Sequence, residues 1–254
     1  AVGVNDLLGL NLDQAALARA AIRAETEFVG APTGGMDQTA IIHAIAGCAL
    51  EINFGNGELS QHQLDLDRMG LVLQVIDTRI RHTNLSGDYG DRRLECERAS
   101  AELGLDHLVL AEDDHQDLSP VLARRTRHVA TEQQRVSDFL EALGACDGVR
   151  LGEILSASHV SLRDDFEVSC PELDLAVSAA MGAGALGARM TGGGFGGCAI
   201  ALTPVSRRDL VEQAIALGPL EPIDPLHPVG VEVKRLATGL GMGAYQRMGR
   251  LGHR

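Results

Sequence analysis

Apolar positions change their period several times along the chain, and each change marks a predicted element. Leu17, Ala21, Ala24 and Phe28 recur at helical spacing. Asn11 and Gln14 outline a capping box ahead of them, and Gly30 is placed to end that helix. A second helix is expected from Met36 to about Ala46. Leu50, Ile52 and Phe54 then alternate with Glu51 and Asn53 up to a Gly-Asn-Gly turn at 55–57, which predicts a strand. Residues 71–76 form a run that is apolar apart from Gln74, as in a strand covered on both faces. Helices are expected over 92–103 and 120–143. Ser169 and Pro171 open another, with Glu172 at the positive end of its dipole and Leu173, Val177, Ala180 and Met181 as its apolar stripe. Residues 188–191 and 198–202 read as strands, Ser206 and Asp209 open a helix to about Leu217, and 229–233 is a short strand. The glycine-rich tail after Thr238 is expected to fray, and no internal repeat is evident.

Between the strands at 188–191 and 198–202 lies MTGGGFGGC, residues 190–198, with five glycines in the six positions 192–197. A two-residue turn would join a hairpin, so this many glycines exceeds what chain reversal needs. Glycine costs backbone entropy but permits positive φ and close approach to the backbone. Successive bare N–H groups can then form an anion-binding concavity. Thr191 adds a hydroxyl at the loop entrance. The pattern predicts a ligand-facing, phosphate-facing loop. It is neither of the two familiar phosphate loops, because no lysine–serine/threonine pair closes it and a strand follows.

Two other stretches hold candidate chemistry. GAPTGGMDQTA, residues 30–40, turns sharply at Pro32 and its glycines and places Asp37 in the first turn of a helix. The dipole there favours an ionised carboxylate. By residue type alone, helix capping is the commoner role for such an aspartate. Residues 77–93 form a polar loop with Arg79, Arg81, His82, Asn84, Asp88 and Tyr89. It reads equally well as a solvated connection or a binding loop, and His82 alone is more often structural than catalytic.

Composition removes several classes. The 254 residues suit one large or two modest domains. A net charge of −13 argues against nucleic-acid binding, which needs a basic footprint. Lys234 is the only lysine, which leaves little material for a lysine nucleophile. No apolar run reaches the roughly 18 residues of a membrane helix. The acidic stretch 106–117 reads as solvated surface. The cysteines, at 48, 96, 146, 170 and 198, are isolated and odd in number, so buried thiols in a reducing compartment are expected. AVGVNDLLGL opens apolar with no initiator methionine and no cap, which predicts entry into the middle of a helix and further sequence upstream; a targeting segment there stays open.

GAPTGGMDQ, IRHTNLSGDYGDRRLECE, RTRHVATEQQRV, SHVSLRDDFEVSCPELD and MTGGGFGGC together resemble galactokinases, within the GHMP small-molecule kinases, in order and spacing from about Leu10 to Leu202. The resemblance implies an α+β, two-domain GHMP kinase fold with the active site in the cleft between domains. It puts residues 1–77 in the remainder of the N-terminal domain and 78–254 in the C-terminal domain. The implied activity is ATP-dependent phosphorylation of the anomeric hydroxyl of D-galactose to galactose 1-phosphate, the first committed step of galactose breakdown. ATP and Mg2+ are the implied cofactors, in a cytoplasmic monomer without nucleic-acid or membrane partners.

Carried over by residue, Asp37 matches the catalytic aspartate, Gly34 and Tyr89 match sugar contacts, and Gly193 lies on the sugar side of the glycine loop. Thr191, Gly192, Gly194 and Arg81 fall on the phosphate and nucleotide side. The family's first two signatures, which hold its catalytic arginine, its serine-rich phosphate loop and a metal-ligating serine, do not appear. The chain therefore resembles the C-terminal two-thirds of a galactokinase, no metal ligand is expected in it, and by itself it is expected to be inactive. The resemblance fades after Leu202. Alternatives are a catalytically silent sugar sensor and a GHMP kinase for N-acetylgalactosamine or arabinose; Asp37 speaks against the first, and Tyr89 with DDFEVSCPELD against the second.

Overall fold

The computed structural model describes residues 1–30, 34–80, 85–111, 117–217 and 232–235, with the backbone alone for 85–89, 217 and 232–235. They fall into two compact units that meet in sequence at Asp65 and Leu66.

In the first unit, α1 (Val2–Leu8) ends at Gly9 in the left-handed region. Helix α2 (Gln14–Arg23) is capped by Asp13, whose carboxylate accepts from Ala16 N at 2.7 Å. The expected cap, Asn11, lies two residues too early: it sits at φ 52 and donates to Gly9 O instead. The helix widens into a π-helical turn over Ala24–Val29 and stops at Gly30 with φ 76, the positive angle expected of a terminal glycine. Phe28 belongs to the helical period but is 82% exposed, because the wider turn rotates it off the packed face. Helix α3 (Met36–His43) ends before the expected Ala46. Strands β1 (Cys48–Ile52) and β2 (Leu59–Gln63) form an antiparallel hairpin with Ile52 opposite Leu59.

The second unit is built on an antiparallel sheet in the order β4-β5-β3-β6. Its strands are β3 (Leu71–Asp77), β4 (Gly187–Thr191), β5 (Cys198–Pro204) and β6 (Glu232–Arg235). β3 is central and pairs with β5 along its whole length, so a strand expected at the end of the N-terminal portion shares its sheet with the glycine-loop strands. β6 overlaps the strand expected at 229–233; residues 229–231 lie outside the described residues.

Helix α4 (Leu85–Leu103) begins well before residue 92, so half of the expected polar loop is helical. Helix α5 (Pro120–Gly144) has Ser119 as cap and Pro120 in its first turn. Helix α6 (Gly148–Asp164) is capped by Asp147 accepting from Arg150 N at 3.0 Å. Helix α7 (Pro171–Gly182) starts at the expected proline. Leu173, Val177 and Ala180 on it are buried, whereas Met181 is 37% exposed at its last turn. Helix α8 (Arg208–Leu217) follows a 3-10 turn.

The core joins Ile76, Leu173, Ala188, Met190, Ala199, Ala201 and Val211, all fully buried, between the sheet and α6, α7 and α8. Helix α6 meets β4 backbone to backbone. A Cβ on Gly152 would overlap the Leu186 carbonyl, and one on Gly187 would overlap Gly152 O. This close approach fixes where β4 runs, and with it where the glycine loop begins.

No disulfide joins the cysteines. The expectation of buried thiols fails: Cys146 is exposed and the others are half-buried. Cys48, Cys170 and Cys198 stand at element starts, where the backbone turns toward the surface.

Candidate active site

The glycine loop leaves the sheet where Thr191 and Asp77 both lie opposite Cys198. Its backbone needs its glycines: Gly192, Gly194, Gly196 and Gly197 all have φ between 82° and 129°, and Phe195 itself is held at φ 57. Two clips shape it. At one end, Thr78 N and Thr78 Oγ1 both donate to Gly197 O, at 3.0 and 2.7 Å, and Gly197 N donates to Ile80 O at 3.0 Å. Thr78 is fully buried, so this clip is shielded from water. In the middle, Phe195 N donates to Val168 O at 2.7 Å, and Gly194 lies so close that a Cβ would overlap that same carbonyl oxygen.

Part of what remains unclipped faces outward, while Gly194 and Gly196 are buried. Thr191, Gly192 and Gly193 are exposed. Among the described residues, the amides of Gly192, Gly193, Gly194 and Gly196 have no acceptor. A run of unpaired N–H groups on a rigid, side-chain-free loop offers donors to an anionic oxygen.

Val168 belongs to a segment, 165–168, that is itself clasped. Arg92 Nε donates to Phe166 O at 2.8 Å. Arg125, 1% exposed, donates to Glu95 Oε2 and Glu167 Oε2, each at 2.6 Å, and to the Asp165 carbonyl. Arg124 reaches Glu167 Oε1 at 3.1 Å and Arg127 reaches Asp165 Oδ1 at 3.0 Å. Burial works against the Arg125 charge, but the two carboxylates outweigh it and raise its pKa. The cationic partners hold Glu167 below the usual carboxylate range.

The strand side of the loop is fixed by a histidine. His159, 4% exposed, accepts from Met190 N through Nδ1 at 3.3 Å, and its Nε2 faces Asp174 Oδ1 at 3.3 Å. Ser169 Oγ donates to the same carboxylate oxygen. Burial lowers the His159 pKa, Asp174 notwithstanding, so the ring is neutral and Nδ1 is available to accept. Next to it, Glu132 takes Arg189 Nη1 at 3.0 Å, Arg135 Nε at 2.7 Å and the Ser158 hydroxyl. Burial alone would push the Glu132 pKa up; the Ser158 hydroxyl and the two arginines hold it low.

In the first unit, Gly35 caps α3 with φ 79, packed on Ile22, and no side chain caps that helix end. Asp37 is the second residue of α3. The capping role open to it by residue type is not realised. Its carboxylate is exposed and has no hydrogen-bond or ionic partner among the described residues. Gly34, also exposed, lies just ahead of the same helix end. The structure thus groups Thr191, Gly192, Gly193 and Gly194 on one loop and Gly34 with Asp37 at one helix start. Tyr89 falls on α4, where its backbone alone is described. Arg81, His82 and Asn84 lie outside the described residues, as do residues 112–116 of the acidic stretch. Arg92, Arg125, His159 and Val168 carry the loop but were not singled out by sequence; the only signal was that they lie inside the quoted motifs.

Two family models match the chain: GHMP kinases N terminal domain over residues 1–44 and GHMP kinases C terminal over residues 139–218. The galactokinase of Streptomyces coelicolor is 45% identical over 226 residues, covering 85% of this chain and 57% of that protein. That of Mycobacterium tuberculosis is 44% identical over 210 residues, covering 80% and 58%. The chain thus spans under three-fifths of the length of these curated relatives. Among solved structures, Lactococcus lactis galactokinase complexed with galactose superimposes with TM-score 0.82 at 30% identity, over 94% of this chain and 63% of that one. A mevalonate kinase of L. major, at 24% identity and TM-score 0.58 over 84% of this chain and 56% of its own, shares the fold.

Proposed function

From a chain that is a homologue of galactokinases and carries the GHMP kinase fold, we propose that the protein transfers the γ-phosphoryl group of ATP to the anomeric hydroxyl of D-galactose. The observation that carries this reading is the glycine loop: two exposed glycines whose amides have no acceptor among the described residues, on a backbone held from behind by Val168 and Thr78. Phosphoryl transfer asks a protein mainly for positioning and charge stabilisation. A preset row of N–H donors supplies both without reorganising during the reaction.

In this proposal Gly192 and Gly194 face the phosphates with the Thr191 hydroxyl and Arg81, and Gly193 lies on the sugar side with Gly34 and Tyr89. Asp37 orients the attacking hydroxyl and accepts its proton late in the transfer. An exposed carboxylate without a partner among the described residues is available for that task. Its place in the first turn of α3 suits orientation of the hydroxyl and acceptance of its proton late in the transfer. Magnesium accompanies the nucleotide; no group of three acidic, imidazole or thiol side chains gathers among the described residues, so none is assigned to it. A cytoplasmic monomer completes the proposal.

The test is ADP release by the protein expressed from its complete gene, residues 1–254 alone being expected to be inactive, with galactose, N-acetylgalactosamine and arabinose in parallel and phosphorus NMR on the product. Galactose 1-phosphate formed at on the order of 1–100 per second with galactose alone is the expected result. Sugar binding without ADP release would instead identify a sensor.

A further inference from the structure

Segment 165–168 is held more firmly than a surface turn requires. Arg92 and Arg125, from α4 and α5, direct six donor bonds at the segment and its Glu95 neighbour. Glu167 sits at φ 55, a conformation that non-glycine residues adopt rarely. The next carbonyl, Val168 O, is the acceptor for Phe195 N in the glycine loop. A nearly fully buried arginine is a poor device for stability, since apolar replacements of such ion pairs are often neutral or stabilising. What a planar guanidinium provides is fixed direction.

We infer that Arg92 and Arg125 are positioning residues for the glycine loop. They lock segment 165–168 so that Val168 O sets the place of Phe195 N–H, and thereby aims the unpaired amides of Gly192 to Gly194. Neither guanidinium touches the reacting groups; both act through the backbone of 165–168. The kinetic part of this inference rests on the proposed kinase reading, while the structural part does not.

The two clips on the loop provide an internal control. Phe195 N depends on Val168 O, whereas Gly197 N depends on Ile80 O. Arg125→Lys and Arg92→Lys keep the charge but lose the fork. In the protein carrying either change, hydrogen exchange of the Phe195 amide should quicken about tenfold or more. The amides of Gly197 and of β5 should keep their rates. With ATP and galactose, kcat should fall and the KM for ATP should rise by roughly tenfold or more, with the KM for galactose changed less. Arg92, less buried than Arg125 (side chain 18% against 2% exposed), gives a variant that folds should Arg125→Lys not.

Unchanged Phe195 exchange overturns the inference, as does exchange raised equally across β4 and β5. Unchanged kinetics beside locally raised exchange overturns its functional half. If the unaltered protein does not phosphorylate galactose, the kinase reading fails, and the exchange pattern still decides the clamp.

Discussion

The imidazole of His128 on α5 stacks on Phe166, with ring centroids 4.4 Å apart and planes inclined by 28°. His128 Nδ1 bonds the Ser161 hydroxyl at 3.0 Å, and that hydroxyl donates to Asp165 Oδ2 at 3.2 Å. The ring therefore packs on the same segment that the arginines clasp. Burial pushes its pKa down to about 4, with Glu132 and Asp165 opposing and Arg135 and Arg189 reinforcing the shift.

This relation gives stability a pH dependence. The folded pKa, about 4, lies below the ordinary 6.5, so the unfolded chain binds the proton more readily. The stabilising contribution is fully present above about pH 6.5 and is lost as pH falls toward 4. Its size is on the order of 3 kcal/mol. His159 is lowered too and acts in the same direction. Denaturation midpoints of the unaltered protein and His128→Asn, measured from pH 7 to 4, should diverge most at high pH and converge toward pH 4. Parallel curves would show that His128 does not titrate in folding.

Gly194 and Gly192 share a positive φ but differ in surroundings. Alanine at Gly194 would meet the Val168 carbonyl, while nothing lies within 4 Å of a Cβ at Gly192. Gly192→Ala should cost roughly 1–2 kcal/mol, the ordinary left-handed penalty. Gly194→Ala should cost clearly more and release the Phe195 amide. Equal thermal midpoints for the two variants would refute the idea that Val168 presses on the loop.

Asp37→Asn separates chemistry from structure. Since Asp37 caps nothing, the melting temperature should move little. Turnover in the protein should fall by roughly 10²–10⁴ if the carboxylate handles the hydroxyl proton. Retained turnover would remove Asp37 from the catalytic role.

Tyr89→Phe tests the sugar side. Losing a hydroxyl that contacts sugar should weaken galactose binding by about 1–3 kcal/mol, with ATP affinity unchanged. Calorimetric titration reads both, and an unaltered galactose affinity would leave Tyr89 an ordinary residue of α4.

Much of this protein is legible in short stretches of sequence. Ser119 before Pro120, Pro171 before an apolar stripe and the glycine run between two strands each set a local structure through bonds a few residues apart. Motif order carried the galactokinase resemblance by the same local reading. Nearby errors were also local: Asp13 took the cap assigned to Asn11, and α4 began seven residues early because polar residues suit a solvated helix as well as a loop. Other features depend on partners far along the chain. Val168 O meets Phe195 N across 27 residues, Arg125 meets Glu95 across 30, and Met190 N meets His159 across 31. No periodicity encodes such pairs, because each end is locally satisfiable by water. The sequence alone determined that a glycine-rich loop exists and what chemistry it suits. Only the tertiary structure decided which of its amides are clipped and which stay open, since that depends on carbonyls which folding brings up behind it.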